Sequence, residues 1–171
     1  DFRSEPSSLP ELYPLCLFSC SCGYVGLDYV LDPQKIYPGQ SELTSYQSQG
    51  HMKHMKAYAE NLMARMPADS SVLDIGSNDG LFLSYFKEKG HDILGVDPSA
   101  KASEAAQGRD VPTRVGFFGD VMLPTDSFDL VTANRVWANI PKPGVFLEKV
   151  KEVIKPEGLL VIETGYLPNI L

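Results

Sequence analysis

A turn of small and polar residues lies near the middle of the sequence, directly after a short apolar run. Residues 72–75 are typical of a buried strand, and Gly76 follows them. Residues 77–80, Ser-Asn-Asp-Gly, come next and precede an apolar segment with helical character. Because glycine adopts positive φ and has no Cβ, a ligand can lie close to the backbone here. The stretch predicts a ligand-binding turn between a strand and a helix, with Asn78 or Asp79 capping that helix.

A second acidic residue stands about twenty positions after this turn, at the distance expected in nucleoside-binding α/β sheets. Asp97 ends the segment 91–96, which is typical of the next strand. An ionised aspartate only accepts hydrogen bonds and can take both hydroxyls of a ribose. Gly76 and Asp97 together predict a cofactor that contains a nucleoside.

The residues of the turn distinguish between two such cofactors. A dinucleotide site needs G-x-G-x-x-G, so that a pyrophosphate can meet bare backbone at a helix N-terminus. Here Asn78 occupies the second glycine position, and the carboxylate of Asp79 would repel a pyrophosphate. S-adenosylmethionine carries an ammonium and a sulfonium instead, and Asp79 could pair with such a cation. We therefore expect S-adenosylmethionine, with NAD or a turn without a ligand as the alternatives.

Strand-like and helix-like segments alternate through the rest of the chain. After a helix within residues 45–66, the predicted strands are residues 72–75, 91–96, 113–118, 128–133 and 159–162. This alternation predicts an α/β fold with a parallel sheet between two helical layers, and a ligand crevice at the carboxyl ends of the strands. Asp120, Asn134 and Glu163 follow predicted strands and are expected at the same edge as Gly76.

The first 44 residues have a different character and predict a small β-rich extension. Residues 12–31 are typical of a hairpin that turns at Gly23. Cys16, Cys20 and Cys22 are the three cysteines of the chain. A structural zinc site needs four ligands, usually from two C-x-x-C pairs, and the spacing here is one residue too short. We therefore expect no complete zinc site, although His51 and His54 are conceivable remote ligands.

The composition limits the partners of the protein. The chain has 171 residues, 43% of them hydrophobic, and a formal net charge of −7. An acidic protein lacks the basic surface that nucleic acids and anionic membranes require. Residues 12–27 carry no charge, but proline and glycine interrupt them and they are too short to span a bilayer comfortably. With no signal peptide in view, we expect a cytoplasmic protein that acts on a small molecule.

The two motifs resemble those of the class I S-adenosylmethionine-dependent methyltransferases. Residues 72–80 and 94–99 carry this resemblance. Further stretches make the chain similar to the nucleotide-sugar C-methyltransferases with an N-terminal zinc-binding domain: residues 12–15, 22–23, 28–33, 45–46, 56–60 and 117–119. The resemblance implies a Rossmann-like three-layer sandwich, incomplete at the C-terminus, with domains at residues 1–44 and 45–171. It also implies C-methylation of a nucleotide-linked keto-deoxysugar or a similar small molecule.

The resemblance further implies which residues hold the cofactor. The methionine part would lie against Gly76, Asn78 and Asp79, with Tyr46 at the same end. Asp97 would take the ribose hydroxyls, and the sulfonium would lie above Asn134. The complete set that we expect at the cofactor consists of Tyr46, Asp74, Gly76, Ser77, Asn78, Asp79, Asp97, Pro98, Phe118 and Asn134, with Phe118 beside the adenine.

No catalytic base emerges from the sequence. C-methylation beside a ketone requires a group that removes a proton from carbon. His91 precedes a strand at the wrong edge, His51 and His54 are expected to be solvated on the first helix, and Glu163 is a carboxylate in a loop. The Tyr-His-Glu-His segment of the family, and a zinc site, would belong to a longer parent chain.

The alternative to a methyltransferase is a non-catalytic module that binds S-adenosylmethionine or a partner. A sheet that ends at the fifth strand has an open edge, which favours a homodimer.

Overall fold

The computed structural model describes residues 12–36 and 48–165. The chain divides into two compact units, Asp1–Ile36 and Tyr37–Leu171. The predicted domain boundary between residues 44 and 45 lies outside the described residues, and so does Tyr46.

The first unit contains the predicted hairpin. Strands β1 (Leu17–Ser19) and β2 (Val25–Leu27) pair antiparallel. Gly23 adopts a φ of 88° in the connection, as the turn there requires. One helical turn, α1 (Pro33–Ile36), follows the hairpin.

The second unit is the α/β part of the chain. Its helices are α2 (Gln49–Met63), α3 (Leu81–Lys87), α4 (Ala100–Gln107) and α5 (Pro143–Val153). Its strands are β3 (Ser71–Ile75), β4 (Asp92–Asp97), β5 (Thr113–Val115), β6 (Phe128–Asn134) and β7 (Ile154–Glu163). A short 3₁₀ segment, Trp137–Asn139, follows β6.

The five strands form one parallel sheet in the order β5-β4-β3-β6-β7. The chain moves outward from β3 through β4 to β5 and then crosses back to place β6 on the other side of β3. Such a reversal opens a crevice beyond the carboxyl ends of the central strands, where ligands bind in folds of this type. The predicted Rossmann-like architecture is therefore confirmed, and the crevice lies at the end of β3.

Helices cover both faces of this sheet because the strands are apolar on both sides. In β3, Val72 packs on one face and Leu73 on the other, as the alternation of a strand requires. The first cluster contains the apolar stripe of α2 that the sequence predicts, with Met55, Ala59 and Leu62. The second cluster includes the buried residues of α5, which are Phe146, Val150 and Val153.

Two strands differ from the sequence-based expectation. The third strand ends at Val115 rather than at residue 118, because Gly116 turns the backbone with a φ of 148°. The last strand begins at Ile154 rather than at residue 159, so that residues 155–158 lie within it. The pairing register shifts there, between Phe128 and Leu130 of β6, so these residues interrupt the ladder without ending the strand.

Asp129 joins three strands at the amino end of the sheet. Its Oδ2 accepts hydrogen bonds from the backbone nitrogen of Ser71 at 2.8 Å and from the Ser71 hydroxyl at 2.9 Å. Lys155 Nζ lies 2.8 Å from the same oxygen. Burial raises the pKa of Asp129, but the hydrogen bonds from Lys155 and Ser71 outweigh it and hold this pKa below its ordinary value. The carboxylate thus stabilises the packing of β3, β6 and β7.

We predict that Asp129→Ala lowers the free energy of unfolding by about 1–3 kcal/mol near neutral pH, since it leaves partly buried donors unpaired. Because the folded pKa is depressed, this stabilisation is present above the ordinary carboxyl pKa and is lost as the pH falls through the folded value. Urea unfolding at a series of pH values measures the effect. The control is Glu157→Ala, which removes an exposed carboxylate from β7. Equal stability of the two variants at pH 7 would contradict the role of Asp129.

Candidate functional site

The turn after β3 has a sharply bent backbone. Gly76, Asn78 and Gly80 all adopt positive φ, at 76°, 49° and 72°. A Cβ on Gly76 would collide with the side chain of Val136, so this position requires glycine for space as well as for conformation. The backbone nitrogen of Gly76 donates to the carbonyl of Val96 at 2.7 Å. The turn therefore folds across the end of β4 and begins α3 on its far side.

The N-terminus of α3 differs from the predicted capping by Asn78 or Asp79. Gly80 is its N-cap, in the left-handed region and without a side-chain hydrogen bond. Asn78 does not cap the helix, whereas Asp79 contributes a bond of 3.3 Å from the Leu81 nitrogen to its Oδ1.

Asp97, at the end of β4, holds two backbone segments, one with each of its carboxylate oxygens. Oδ2 accepts from the backbone nitrogen of Asn78 at 2.9 Å, and Oδ1 accepts from that of Ser99 at 2.8 Å. The side chain is buried, which raises its pKa, while these two bonds act in the opposite direction. A carboxylate oxygen has more than one lone pair, so each can still accept a hydroxyl proton. Asp97 can therefore hold the turn and a ribose at once, with the half-buried Pro98 beside it.

Asp74 lies beneath the turn in the middle of the sheet. Only 2% of the residue is exposed. Its Oδ1 accepts from the Thr132 hydroxyl at 2.7 Å and from Asn134 Nδ2 at 3.1 Å. Burial raises its pKa to about 7, and the negative charge of Asp97 acts in the same direction, against the hydrogen bonds from Thr132 and Asn134. Asp74 thus positions Asn134 at the end of β6.

Three buried polar atoms at this edge have no hydrogen-bond partner within the described residues: Ser77 Oγ, Asn78 Oδ1 and Asn134 Oδ1. An unpaired buried polar atom is costly, so a site that contains several of them is suited to a ligand that supplies the missing partners. The two amide oxygens are acceptors and match a cationic donor such as an ammonium. Together with the acceptor capacity of Asp97, they fit the ammonium and the ribose hydroxyls of S-adenosylmethionine.

Asp79 forms an ion pair inside the protein. The residue is fully buried, and its Oδ2 lies 3.3 Å from Arg109 Nη2. Arg109 Nε also donates to the backbone oxygen of Asp79 at 2.8 Å. The carboxylate thus has an internal cation, and that Asp79 also lies against the methionine part of the cofactor stays a prediction.

Phe118 lies in the core between the sheet and α5. It is 6% exposed, its ring centroid is 5.1 Å from that of Phe146, and Lys149 Nζ lies 5.3 Å from its centroid. Lys149 also donates to the carbonyl oxygens of Gly119 and Val121 at 2.9 and 2.7 Å. These bonds fix the loop after β5 through its backbone. That Phe118 lines an adenine stays a prediction.

The structure brings together residues that the sequence does not connect. His54 Nε2 lies 3.2 Å from Glu163 Oε2, and the His54 side chain is 55% exposed, as we expected for a solvated histidine. The ring of Tyr58, one turn further along α2, stacks near His54 with centroids 6.1 Å apart. Arg135 Nε lies 3.6 Å from the other oxygen of Glu163. The spacing of His54 and Tyr58 on one helix face is visible in the sequence, but their meeting with Glu163 is not.

Metal ligands do not assemble in the part of the chain that the structure describes. Within residues 12–36 and 48–165, no group of three or more His, Cys, Asp or Glu could hold a metal ion. Cys16, Cys20 and Cys22 are exposed free thiols. The helices among these residues are also too short or too polar to cross a membrane.

We predict that Asp74→Asn removes a pH dependence of stability. Because the folded pKa is raised above its ordinary value of 3.8 to about 7, the folded state binds the proton more tightly than the unfolded chain. The free energy of unfolding then falls as the pH rises through this window, by roughly 4 kcal/mol. The asparagine variant should lack this fall, as urea unfolding between pH 4 and pH 8 will show. Asp92→Asn, at the exposed start of β4, is the control; an unchanged slope in Asp74→Asn would contradict the assignment.

Comparison with known proteins places this site in a family. Residues 46–169 match the family described as a methyltransferase domain. The chain is similar to the C-methyltransferase NovU of Streptomyces niveus, with 27% identity over 168 residues, covering 94% of this chain and 40% of that protein. It is also similar to the ubiquinone biosynthesis O-methyltransferase of Rhodopseudomonas palustris, with 32% identity over 98 residues, covering 54% of this chain and 39% of that protein.

A solved structure agrees on the fold. The S-adenosylmethionine-dependent methyltransferase from Mesorhizobium loti superposes with a TM-score of 0.57 at 24% identity, over 66% of this chain and 55% of that chain. The chain spans about two fifths of the length of the two curated relatives. Because the match covers most of the residues and includes the whole sheet, the chain belongs to the methyltransferase domain family and has the fold of a class I S-adenosylmethionine-dependent methyltransferase.

Proposed function

We propose that the protein binds S-adenosylmethionine at the carboxyl end of β3 and transfers its methyl group to a small molecule. The observation that carries this proposal is the pair of amide oxygens on Asn78 and Asn134, which have no hydrogen-bond partner among the described residues, together with the buried carboxylate of Asp97. Membership of the methyltransferase domain family supports the same cofactor.

In this proposal each part of the cofactor meets a group of matching chemistry. Asp97 accepts the ribose hydroxyls, and Pro98 lies beside it. Ser77 Oγ and the oxygen of Asn78 take the ammonium of the methionine part. Asn134, held by Asp74, lies below the sulfonium, and Phe118 and the loop after it line the adenine. The bound cofactor supplies an electrophilic methyl group, so the protein has mainly to orient the acceptor and exclude water.

For the acceptor, we propose a nucleotide-linked keto-deoxysugar that is methylated on carbon. Similarity to a C-methyltransferase over 94% of this chain supports this acceptor. Oxygen methylation is the second candidate, because the chain is also similar to an O-methyltransferase over 54% of its length. The two candidates share the cofactor site and differ only in the atom that receives the methyl group.

We predict that the chain binds S-adenosylmethionine and S-adenosylhomocysteine, but not NAD, in calorimetric titrations. Asp97→Asn should weaken binding of both ligands at least about tenfold, since it loses charge-assisted hydrogen bonds to the ribose hydroxyls. Thermal unfolding shows whether the variant is folded, and Asp92→Asn at the other end of β4 is the matched control.

Each result of this titration is decisive. Binding of NAD, or equal affinity of the wild type and Asp97→Asn for the adenosyl ligands, would contradict the proposed site. Absence of binding by the wild type would contradict the proposed function itself.

We also propose a cytoplasmic homodimer that pairs through an open edge of the sheet. β7 is an edge strand among the described residues, and Leu159 on it is 45% exposed. An apolar edge strand with unpaired backbone groups favours association with a second copy. Sedimentation velocity is expected to show a dimer that Leu159→Lys dissociates. A monomer at high protein concentration would contradict this arrangement.

A further inference from the structure

We propose that Tyr58 is a cofactor-binding residue whose hydroxyl oxygen contacts the positively charged sulfonium end of S-adenosylmethionine. This role rests on the proposed function, because it adds a residue to the same cofactor site. Packing against the first core cluster accounts for the ring of Tyr58 on α2 but not for its hydroxyl group. The role follows from the position of that hydroxyl.

The sheet face that α2 covers is apolar in its middle and polar at its carboxyl edge. Val72, Leu130 and Val161 belong to or pack against the cluster that contains the buried stripe of α2. Side chains alternate along a strand, so residues two or four positions further on lie on the same face. The polar residues of this face at the carboxyl edge are therefore Asp74, Thr132, Asn134 and Glu163.

The ring of Tyr58 is held between neighbours at this edge. It stacks on Phe82, with centroids 5.2 Å apart and planes 26° apart, and near His54, with centroids 6.1 Å apart and planes 19° apart. Phe82 lies in the first turn of α3, directly after the glycine turn. His54 contacts Glu163 at the end of β7. The ring is thus fixed between the cofactor turn and the last residue of β7.

The hydroxyl of Tyr58 is buried and has no hydrogen-bond partner within the described residues. Burial raises its pKa to about 12, and the charges of Glu163 and Asp74 add to the shift, so the hydroxyl is neutral and within electrostatic reach of both carboxylates. Asn134 donates to Asp74 and is the register partner of Glu163. Its Oδ1 is also buried without a partner among these residues. Two unpaired oxygens therefore lie near the same two carboxylates.

This surrounding selects the part of the cofactor that can lie here. Carboxylates and oxygen lone pairs attract a positive group and repel the carboxylate of the methionine part. In the proposed function the ammonium lies at Ser77 and Asn78, and the sulfonium lies above Asn134. The sulfonium is therefore the cation that reaches Tyr58.

A phenol oxygen suits a sulfonium. The sulfonium has no polar hydrogen, so oxygen lone pairs meet its charge and the polarised C–H bonds of its methyl group. A hydroxyl has two lone pairs and one proton, so Tyr58 can present a lone pair whichever way its proton turns. S-adenosylhomocysteine is neutral at sulfur and lacks the methyl group. Tyr58 thus raises the affinity for the substrate relative to that for the spent cofactor.

The variant Tyr58→Phe removes only this oxygen, and calorimetric titration measures the effect. We expect affinity for S-adenosylmethionine to fall about three- to fivefold, and that for S-adenosylhomocysteine to change less than about twofold. Sinefungin carries an amine in place of the methylated sulfur. Its affinity should fall about tenfold, because its N–H groups can donate to the oxygen.

Equal losses for the three ligands, or an unchanged affinity for S-adenosylmethionine, would overturn the role of Tyr58. A wild-type protein that binds none of the three would instead refute the proposed function.

Urea unfolding without ligand gives an independent measurement. Because the hydroxyl of Tyr58 has no partner among the described residues, Tyr58→Phe should be at least as stable as the wild type. The matched control is Tyr85→Phe, since the hydroxyl of Tyr85 donates to the carbonyl of Met52 at 3.4 Å. That variant should be less stable and keep the wild-type ratio of the two adenosyl affinities. A destabilised Tyr58→Phe with an unchanged ratio would make the hydroxyl purely structural and overturn the proposal.

Discussion

The hydrogen bonds of Asp97 to the backbone on either side of it are the constraint on which the site depends. One oxygen holds Asn78 in the turn after β3, and the other holds Ser99 at the start of α4. Gly76, Asn78 and Gly80 in this turn have positive φ, and the bond to Asp97 fixes the backbone amide of the middle one. This carboxylate lies at the end of the neighbouring parallel strand, and it brings the two halves of the crevice together. Ligand binding and the connection of β3 to β4 therefore share one side chain.

Three buried carboxylates surround this turn, and each is stabilised differently. Asp79 pairs with Arg109 and supports the start of α3. Asp97 takes backbone amides, and Asp74 takes a hydroxyl and a side-chain amide. Neutral donors only partly replace water around a buried negative charge, which is why burial raises the pKa of both Asp74 and Asp97. A cationic cofactor would relieve this cost, whereas a pyrophosphate would increase it.

The sequence predicts the order of elements well because their hydrophobic patterns are strong and local. The strand before Gly76, the apolar stripe of α2 and the strand before Asn134 all follow from periodicity. Residues 155–158 were misjudged, because Pro156 and Gly158 are typical of a turn, while pairing with β6 continues on both sides of them. The ion pair of Asp79 was not predicted, because its partner Arg109 is 30 positions away and no local pattern indicates that pair.

By itself the sequence determined the parallel α/β sheet, the glycine turn and the acid at the next strand end, since each depends on neighbours within about twenty residues. Only the tertiary structure decided which hydrogen-bond and ion-pair partners the buried carboxylates have. It also brought His54 to Glu163, because the sheet order places β7 beside β6 and α2 packs beside them. Contacts of this kind depend on how distant elements pack, and the residue types along one segment do not encode that.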